Sequence, residues 1–274
     1  MAVVCGLCVT AAVTEGGALF TWGANTYGQL GLGTLAHQQQ PASVDGQDQP
    51  AAVMVDAGIV HQVAVLEDGS ICTWGIGGGG ELGHGDLRWS PCPARLGLDV
   101  FAGSPVVMVS CGMTHTLAVT AAGRAWTCGN NKFGQLGHGD TADRTSFTLV
   151  SLERLEEAMI VMAACNSFHN AVVTAEGRVW TWGHGKAGCL GHNDEQTRLA
   201  PVLVAGEQFD GSTIVMVAAG LGHTVAVMMM MIVYWYSFSN HYTRECIHWT
   251  RVGRRGCGAG ENMASWAWAT TFEG

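Results

Sequence analysis

The stretch Phe133–Asp140, FGQLGHGD, contains residue types that could bind a ligand. Its glycines could cradle a phosphate group, and His138 with Asp140 could ligate a metal ion. Closely related stretches occur at 27–34 (YGQLGLGT), 79–86 (GGELGHGD) and 187–194 (AGCLGHND). Their first shared glycines stand at 28, 80, 134 and 188, spacings of 52, 54 and 54 residues. A nearly constant period of this size indicates a repeat protein.

Because the motif recurs in successive repeats, its histidine and aspartate are not expected to form a single ligand-binding site. The motif histidine recurs as His84, His138 and His192, with Leu32 in the first repeat, and the motif aspartate recurs as Asp86, Asp140 and Asp194, with Thr34 there. Metal ligands must converge within a few ångströms, whereas equivalent residues of successive repeats lie apart. We therefore expect turn-stabilising and packing roles for these residues, no metal site and no cofactor.

A second histidine recurs every 54 residues, at 61, 115, 169 and 223, with Val9 in its place in the first repeat. A catalytic histidine would be expected once rather than four times. The glycine-rich stretch 75–83, GIGGGGELG, lacks the lysine-serine ending of a phosphate-binding loop. The sequence therefore predicts neither an enzyme nor a small-molecule substrate site.

The segment 106–140 shows which elements must position these residues. VVMVSCG (106–112) is typical of a buried strand, and HTLAVT (115–120) with RAWTC (124–128) is typical of a hairpin. The glycine-rich residues 129–140 predict a tight loop, and the variable stretch after them contains a further strand. Four short antiparallel strands per unit, repeated radially, are typical of a β-propeller.

Composition excludes several classes of partner. The formal net charge is −9 and the chain has no run of lysine or arginine, so we expect no direct nucleic-acid binding. The longest apolar run, Val225–Tyr236, is too short to span a bilayer. Cys5, Cys111 and Cys165 share a repeat slot with two alanines, which predicts unpaired cysteines and an intracellular location, cytoplasmic or nuclear.

The repeats resemble those of the regulator of chromosome condensation (RCC1) family. The resemblance rests on the hairpin ending in TWG and on G-x-L-G-x-G-D, with loop motifs at 22–34, 74–86, 128–140 and 182–194. It covers residues 1–227, which are four repeats and the start of a fifth. It implies an all-β fold, a partial and unclosed β-propeller of four-stranded blades, and therefore a fragment of a larger propeller used as a binding platform.

Positions shared by the repeats should serve folding. They are Trp22, Gly23, Gly28, Leu30, Gly31, Trp74, Gly75, Gly80, Leu82, Gly83, Gly129, Gly134, Leu136, Gly137, Trp182, Gly183, Gly188, Leu190 and Gly191. Positions that vary could serve a particular function. Arg88 and Trp89 form an arginine-aromatic pair of the kind enriched at protein-binding hot spots, and Arg95, Arg144 and Arg198 are further candidates.

The expected function is a non-catalytic intracellular scaffold for protein–protein interaction. One alternative implied by the resemblance is guanine-nucleotide exchange on a small GTPase of the Ran type, although no inserted wedge is visible between repeats. Another is a fragment of the repeat module of a HECT-type ubiquitin ligase. A UV-B photoreceptor of this family uses tryptophans in GWRHT stretches. Here the matching stretches are GIVHQ, GMTHT, NSFHN and GLGHT, so we do not expect light sensing.

The segment 228–274 breaks the repeat pattern. With Ser265 encoded by AGY, the codons of Met263–Ala269, read from their third nucleotide, spell Gly-x-Leu-Gly-x-Gly. This hidden copy of the loop motif leads to the hypothesis that 228–274 is out-of-frame or intron-derived sequence. A continuous, in-frame transcript through this segment, with no shorter spliced form, would refute this hypothesis.

Overall fold

A computed structural model of the chain describes residues 2–44, 50–151 and 153–228. These residues belong to one unit, Met1–Met231. Of the atypical segment 228–274, only residue 228 is described, and residues 229–274 lie outside the described ranges.

The described residues form four antiparallel sheets of four strands each, which we number as blades 1–4. Blade 1 contains β1 (Ala2–Cys5), β2 (Val9–Val13), β3 (Leu19–Gly23) and β4 (Gln38–Ser43). Blade 2 contains β5 (Ala52–Ala57), β6 (His61–Leu66), β7 (Ile71–Gly75) and β8 (Ser90–Leu96). Blade 3 contains β9 (Val106–Cys111), β10 (His115–Thr120), β11 (Ala125–Gly129) and β12 (Arg144–Leu149). Blade 4 contains β13 (Ile160–Asn166), β14 (His169–Thr174), β15 (Val179–Gly183) and β16 (Arg198–Leu203).

A fifth unit contributes the hairpin of β17 (Ile214–Ala219) and β18 (Thr224–Met228). No strand of this hairpin pairs with blade 1 within the described ranges, which agrees with the predicted unclosed array. The prediction of four short antiparallel strands per repeat is confirmed, and in blade 3 each strand lies where the pattern places it. Within each sheet every strand pairs with the next along the chain. Short turns join the first three strands, and the glycine-rich loop joins the third strand to the fourth.

Each blade packs on the one before it through its first strand. β5 contacts β1 and β2, β9 contacts β5 and β6, and the same relation holds for β13 and β17. Apolar residues at these junctions form the core, including Val55, Val109 and Val217, each 1 % exposed. The equivalent residue of blade 1, Val3, is 59 % exposed, because no described blade lies before it. Burial of this slot is thus a measure of blade-to-blade contact.

Short 3₁₀ turns connect blades 2, 3 and 4 to the units that follow them. They span Leu98–Phe101, Glu153–Leu155 and Gly206–Phe209. Phe101 and Leu155 are buried in the junctions that their turns cross. In the described part of the chain, no helix has the length and apolar character needed to cross a membrane.

Candidate functional site

The threonine of each TWG sequence, or TCG in blade 3, holds the loop motif against the preceding strand. The Thr127 hydroxyl donates a 2.8 Å hydrogen bond to the carbonyl of Leu136, and the same bond measures 2.7–2.9 Å in the other blades. In blades 2–4 the Nε2 atom of the motif histidine lies 2.9–3.1 Å from this hydroxyl. Because the hydroxyl proton points at the carbonyl, the imidazole Nε2–H is the donor to the hydroxyl oxygen. The structure thus places His84, His138 and His192 in one loop contact per blade.

The motif aspartate of blades 3 and 4 binds an arginine of its own blade. Asp140 accepts hydrogen bonds from the backbone N–H of Ala142 and from Arg144, and Arg198 lies 2.6 Å from Asp194 in the same arrangement. Hydrogen bonds from the backbone N–H first, and then the arginine, lower the pKa of both carboxyl groups. Arg144 and Arg198 are therefore occupied by the fold, with side chains only 27 % and 21 % exposed.

Arg95 is also held within its blade. Its guanidinium forms an ion pair with Asp68 and donates a 2.9 Å hydrogen bond to the Ser70 hydroxyl. The hydroxyl of Ser70 in turn donates to Asp68, and this bond is the main reason that the pKa of Asp68 is lowered. Arg95 thus joins the two sides of the β6–β7 turn to β8.

Arg88 and its neighbour Trp89 lie in a different environment from Arg95, Arg144 and Arg198. The Arg88 side chain is 88 % exposed, and its Nε lies 3.6 Å from Asp86, too far for a hydrogen bond. Trp89 is 52 % exposed, and a Cβ added to Gly28 would lie 3.3 Å from Cζ3 of its indole. The indole therefore rests beside the blade 1 loop while much of it faces solvent. We call Leu87, Arg88 and Trp89 the blade 2 rim; Leu87 is 58 % exposed.

The loop motif also carries the main polar contact between blades. The carbonyl of Gln29 in blade 1 accepts hydrogen bonds from the Gln62 amide (2.7 Å) and the Trp74 indole (3.0 Å) of blade 2. The carbonyl of Gln135 does the same for Asn170 and Trp182 of blade 4. The tryptophan thus both packs in the core and satisfies a buried carbonyl, as buried indoles usually do.

Blade 3 has Cys128 in the tryptophan slot, and Phe147 compensates for the missing volume. A Cβ added to the loop glycine of the preceding blade would meet the indole in two junctions, Trp74 over Gly31 and Trp182 over Gly137. In the blade 2–3 junction a Cβ on Gly83 would instead lie 2.5 Å from the Phe147 ring, with Cys128 behind it at 3.2 Å. The slot of Phe147 holds proline in the other three blades, Pro41, Pro93 and Pro201.

The histidines that begin the second strands link each blade to the next. Nε2 of His61 lies 3.1 Å from Thr116, that of His115 lies 2.8 Å from Asn170, and that of His169 lies 3.1 Å from Thr224. Burial lowers their pKa values, to about 3 for His61 and about 4 for His115 and His169. These imidazoles are neutral structural groups. In the described ranges, no three His, Cys, Asp or Glu residues are grouped so as to hold a metal ion.

Sequence reasoning missed the donors that follow these histidines, namely Gln62, Thr116, Asn170 and Thr224, because their residue types differ from repeat to repeat. The signal available in the sequence was their constant position, directly after the recurring histidine. It also missed an aromatic contact between blades, in which the Phe133 ring lies 5.1 Å from that of Phe168 and 4.5 Å from that of His184.

A family model described as the RCC1-like domain matches residues 1–243. The chain belongs to the RCC1-like domain family. Among curated proteins it is similar to the ultraviolet-B receptor UVR8 of Arabidopsis thaliana, with 39 % identity over 176 residues, or 64 % of this chain and 39 % of UVR8. It is also 32 % identical over 226 residues to the E3 ubiquitin-protein ligase HERC2 of Homo sapiens, or 82 % of this chain and 5 % of HERC2. The chain thus spans well under half the length of either relative.

Three solved structures share the RCC1-like fold. Human WBSCR16 superposes with a TM-score of 0.76 at 22 % identity, over 85 % of this chain and 58 % of that one. Yeast RCC1 (Prp20) bound to Kap60 gives 0.71 at 19 % identity, over 84 % and 54 %. Prp20p of Saccharomyces cerevisiae, with characterised binding to Gsp1p and histones, gives 0.69 at 20 % identity, over 84 % and 56 %. Structural relatives of this RCC1-like chain therefore bind proteins.

Proposed function

We propose that this chain is a non-catalytic, intracellular scaffold that binds a protein partner through the blade 2 rim. The observation that carries the proposal is the contrast among the candidate arginines. Arg95, Arg144 and Arg198 are bound by carboxylates of their own blades, whereas Arg88 is 88 % exposed beside the half-exposed Trp89. Arginine and tryptophan, together with tyrosine, are enriched at protein-binding hot spots.

The intracellular location is supported by the cysteines. Cys111, Cys128 and Cys165 are buried without disulfide bonds, and burial raises the pKa of each thiol. Such thiols act as small apolar side chains and persist in reducing compartments.

Site-specific photo-cross-linking tests the proposed partner site. A photoreactive amino acid at position 87 should cross-link the chain to a protein partner in cells, and adding Arg88→Ala and Trp89→Ala should reduce the yield at least tenfold. Arg198→Ala is the matched control, because that arginine is held by Asp194 in another blade. An unchanged yield in the Arg88→Ala, Trp89→Ala protein would refute the blade 2 rim as the binding surface.

Nucleotide exchange on a Ran-type GTPase is the second candidate function. It is supported by the similarity of fold to yeast Prp20p, whose binding to Gsp1p has been characterised. The test is the rate of GDP release from a Ran-type GTPase with and without the full chain. Acceleration of at least tenfold would support exchange activity, and an unchanged rate would exclude it for this chain.

A place in a larger ubiquitin ligase is the third candidate. The matched region covers 82 % of this chain but only 5 % of human HERC2, so a repeat module of this kind can occur within a much longer protein. A longer transcript that encodes a HECT-type catalytic cysteine domain would support this candidate, and a transcript without one would contradict it.

A further inference from the structure

The only two lysines of the chain, Lys132 and Lys186, stand at the same position of the loop motif in blades 3 and 4. Both residues are exposed, and within the described ranges neither forms an ion pair. The motif aspartates of these blades, Asp140 and Asp194, are paired with arginines instead. Two uncompensated positive charges therefore lie on neighbouring blades of a chain whose net charge is −9.

Three aromatic rings cluster at the junction of the same two blades. Phe133 directly follows Lys132, Phe168 lies in the β13–β14 turn, and His184 follows β15. The ring centre of Phe133 lies 5.1 Å from that of Phe168 and 4.5 Å from that of His184. All three residues are only partly buried, so their rings present apolar surface to solvent beside the lysines. We call these three residues, with Lys132 and Lys186, the blade 3–4 cluster.

Backbone hydrogen bonds hold the rings of the blade 3–4 cluster in place. The N–H of His184 donates to the carbonyl of Phe168 at 2.9 Å. The N–H of Phe133 donates to Oε1 of Gln135 at 2.9 Å, and the amide of Gln135 donates to Asn130 at 3.0 Å. A surface that is already ordered loses little conformational freedom when a partner binds.

Packing of the blades does not require this set of rings. The equivalent residues are Tyr27, Val60 and Ile76 at the junction of blades 1 and 2, and Gly79, Thr114 and Asn130 at the junction of blades 2 and 3. Blades 2 and 3 thus pack without any aromatic residue at these positions. Lysine is equally specific to blades 3 and 4, since blades 1 and 2 have Thr26 and Gly78. Residues that folding does not demand in every repeat are available for recognition.

We propose that the blade 3–4 cluster binds an acidic segment of a protein partner that carries an aromatic side chain. Charge complementarity specifies the acidic groups, because the ammonium groups of Lys132 and Lys186 lack carboxylate partners within the described ranges. The aromatic side chain would pack on the exposed ring surface of Phe133 and Phe168. The inference rests on the proposed protein-binding role but uses residues of other blades than the blade 2 rim.

A fluorescein-labelled peptide, GDEFDEG, is the probe. Fluorescence polarisation with the full 274-residue chain should show at least about tenfold tighter binding than for GDEADEG or GKRFKRG. Lys132→Gln combined with Lys186→Gln should weaken binding of GDEFDEG at least about tenfold, and raising the salt to about 1 M should weaken it in the native chain. Arg88→Gln, which removes an exposed charge of the blade 2 rim, is the matched control and should leave the affinity within about twofold.

Phe168→Val tests the rings separately, because valine fills the same position in blade 2 and circular dichroism can establish that the variant is folded. It should also weaken binding at least about tenfold. Equal affinity for GDEFDEG and GDEADEG, or unchanged binding in either folded variant, overturns the proposal. So does a chain that binds a single-stranded oligonucleotide but not the peptide. Failure of peptide binding in a chain that still cross-links from position 87 would refute the blade 3–4 cluster and leave the blade 2 rim intact.

Discussion

The indole Nε1 of Trp182 donates a 3.0 Å hydrogen bond to the backbone carbonyl of Gln135, in the loop motif of the preceding blade. The two residues are 47 positions apart in the chain, and Trp182 is fully buried. The contact explains why tryptophan and the glycine-rich loop recur together. One residue type closes a blade junction by packing and by satisfying the carbonyl that the loop exposes.

Replacing Trp182 should separate these two effects. Trp182→Ala should lower the free energy of unfolding by about 3–5 kcal/mol, because it empties a buried site. Trp182→Phe keeps most of the volume but leaves the Gln135 carbonyl with one donor fewer, so a loss of about 1–3 kcal/mol is expected. Urea denaturation of the two variants measures both losses. Equal losses would mean that the buried volume contributes nothing beyond the hydrogen bond, and an unchanged stability of Trp182→Phe would mean that the hydrogen bond contributes nothing.

Blade 3 carries Cys128 where blades 2 and 4 carry tryptophan, and Phe147 where they carry proline. We expect the effects of substitutions at these two positions on the free energy of unfolding to be coupled. Cys128→Trp alone adds an indole where the Phe147 ring already lies over Gly83, and overpacking should cost about 1–3 kcal/mol. Adding Phe147→Pro should recover much of that loss, because it recreates the pair found in blades 2 and 4. A double-mutant cycle gives the coupling energy. Additive effects would show that the two residues do not share one space.

Gly134→Ala should be strongly destabilising because of a steric clash with blade 4. Comparison with Gly103→Ala separates this clash from backbone strain. Its φ is +72°, and an added Cβ would lie 2.5 Å from Leu199 Cδ2 and 2.6 Å from Leu199 Cα on the outer strand of blade 4. Gly103 has a φ of +79° but no atom within 4 Å of an added Cβ. Gly103→Ala should therefore cost about 1 kcal/mol through backbone strain alone, and Gly134→Ala considerably more. Thermal unfolding compares them, and equal costs would argue against close contact between loop and strand.

Acid should weaken the blade junctions through the buried histidines. Desolvation holds the pKa of His61 at about 3, whereas an unfolded histidine titrates near 6.5. The unfolded chain therefore binds more protons below about pH 6.5, and the stability contributed by neutral His61 is complete above that pH and lost as pH falls toward 3. His61→Gln should remove up to about 1.4 kcal/mol per pH unit from the slope of unfolding free energy between pH 6 and 4.5.

The difference between the native chain and His61→Gln isolates the histidine from the carboxyl groups. Asp68, Asp140 and Asp194 have lowered pKa values, so their contribution is lost only at more acid pH. Burial raises the pKa values of Asp56 and Glu81, which gives a slope of opposite sign that both proteins share. Identical slopes in the two proteins would show that His61 is not a buried neutral group.

Repetition made the architecture predictable. Strands, loops and scaffold positions follow from features that occur four times, and such patterns depend on local chemistry. The hydrogen bonds between blades were harder to predict from the sequence, because the residue type of the partner changes. His115 contacts Asn170, at a position that other repeats fill with threonine. The pairing of Arg144 and Arg198 with aspartates four residues earlier could have been inferred from spacing.

The most direct test of the account compares a tryptophan that the repeats share with one that stands outside the shared positions. Trp182→Ala and Trp89→Ala are measured side by side for unfolding by urea and for photo-cross-linking to a protein partner from position 87. Trp182→Ala should be strongly destabilised, whereas Trp89→Ala should change the unfolding free energy by less than about 0.5 kcal/mol yet lose most of the cross-linking. A Trp89→Ala chain that is equally stable and cross-links as well as the native protein would contradict the account.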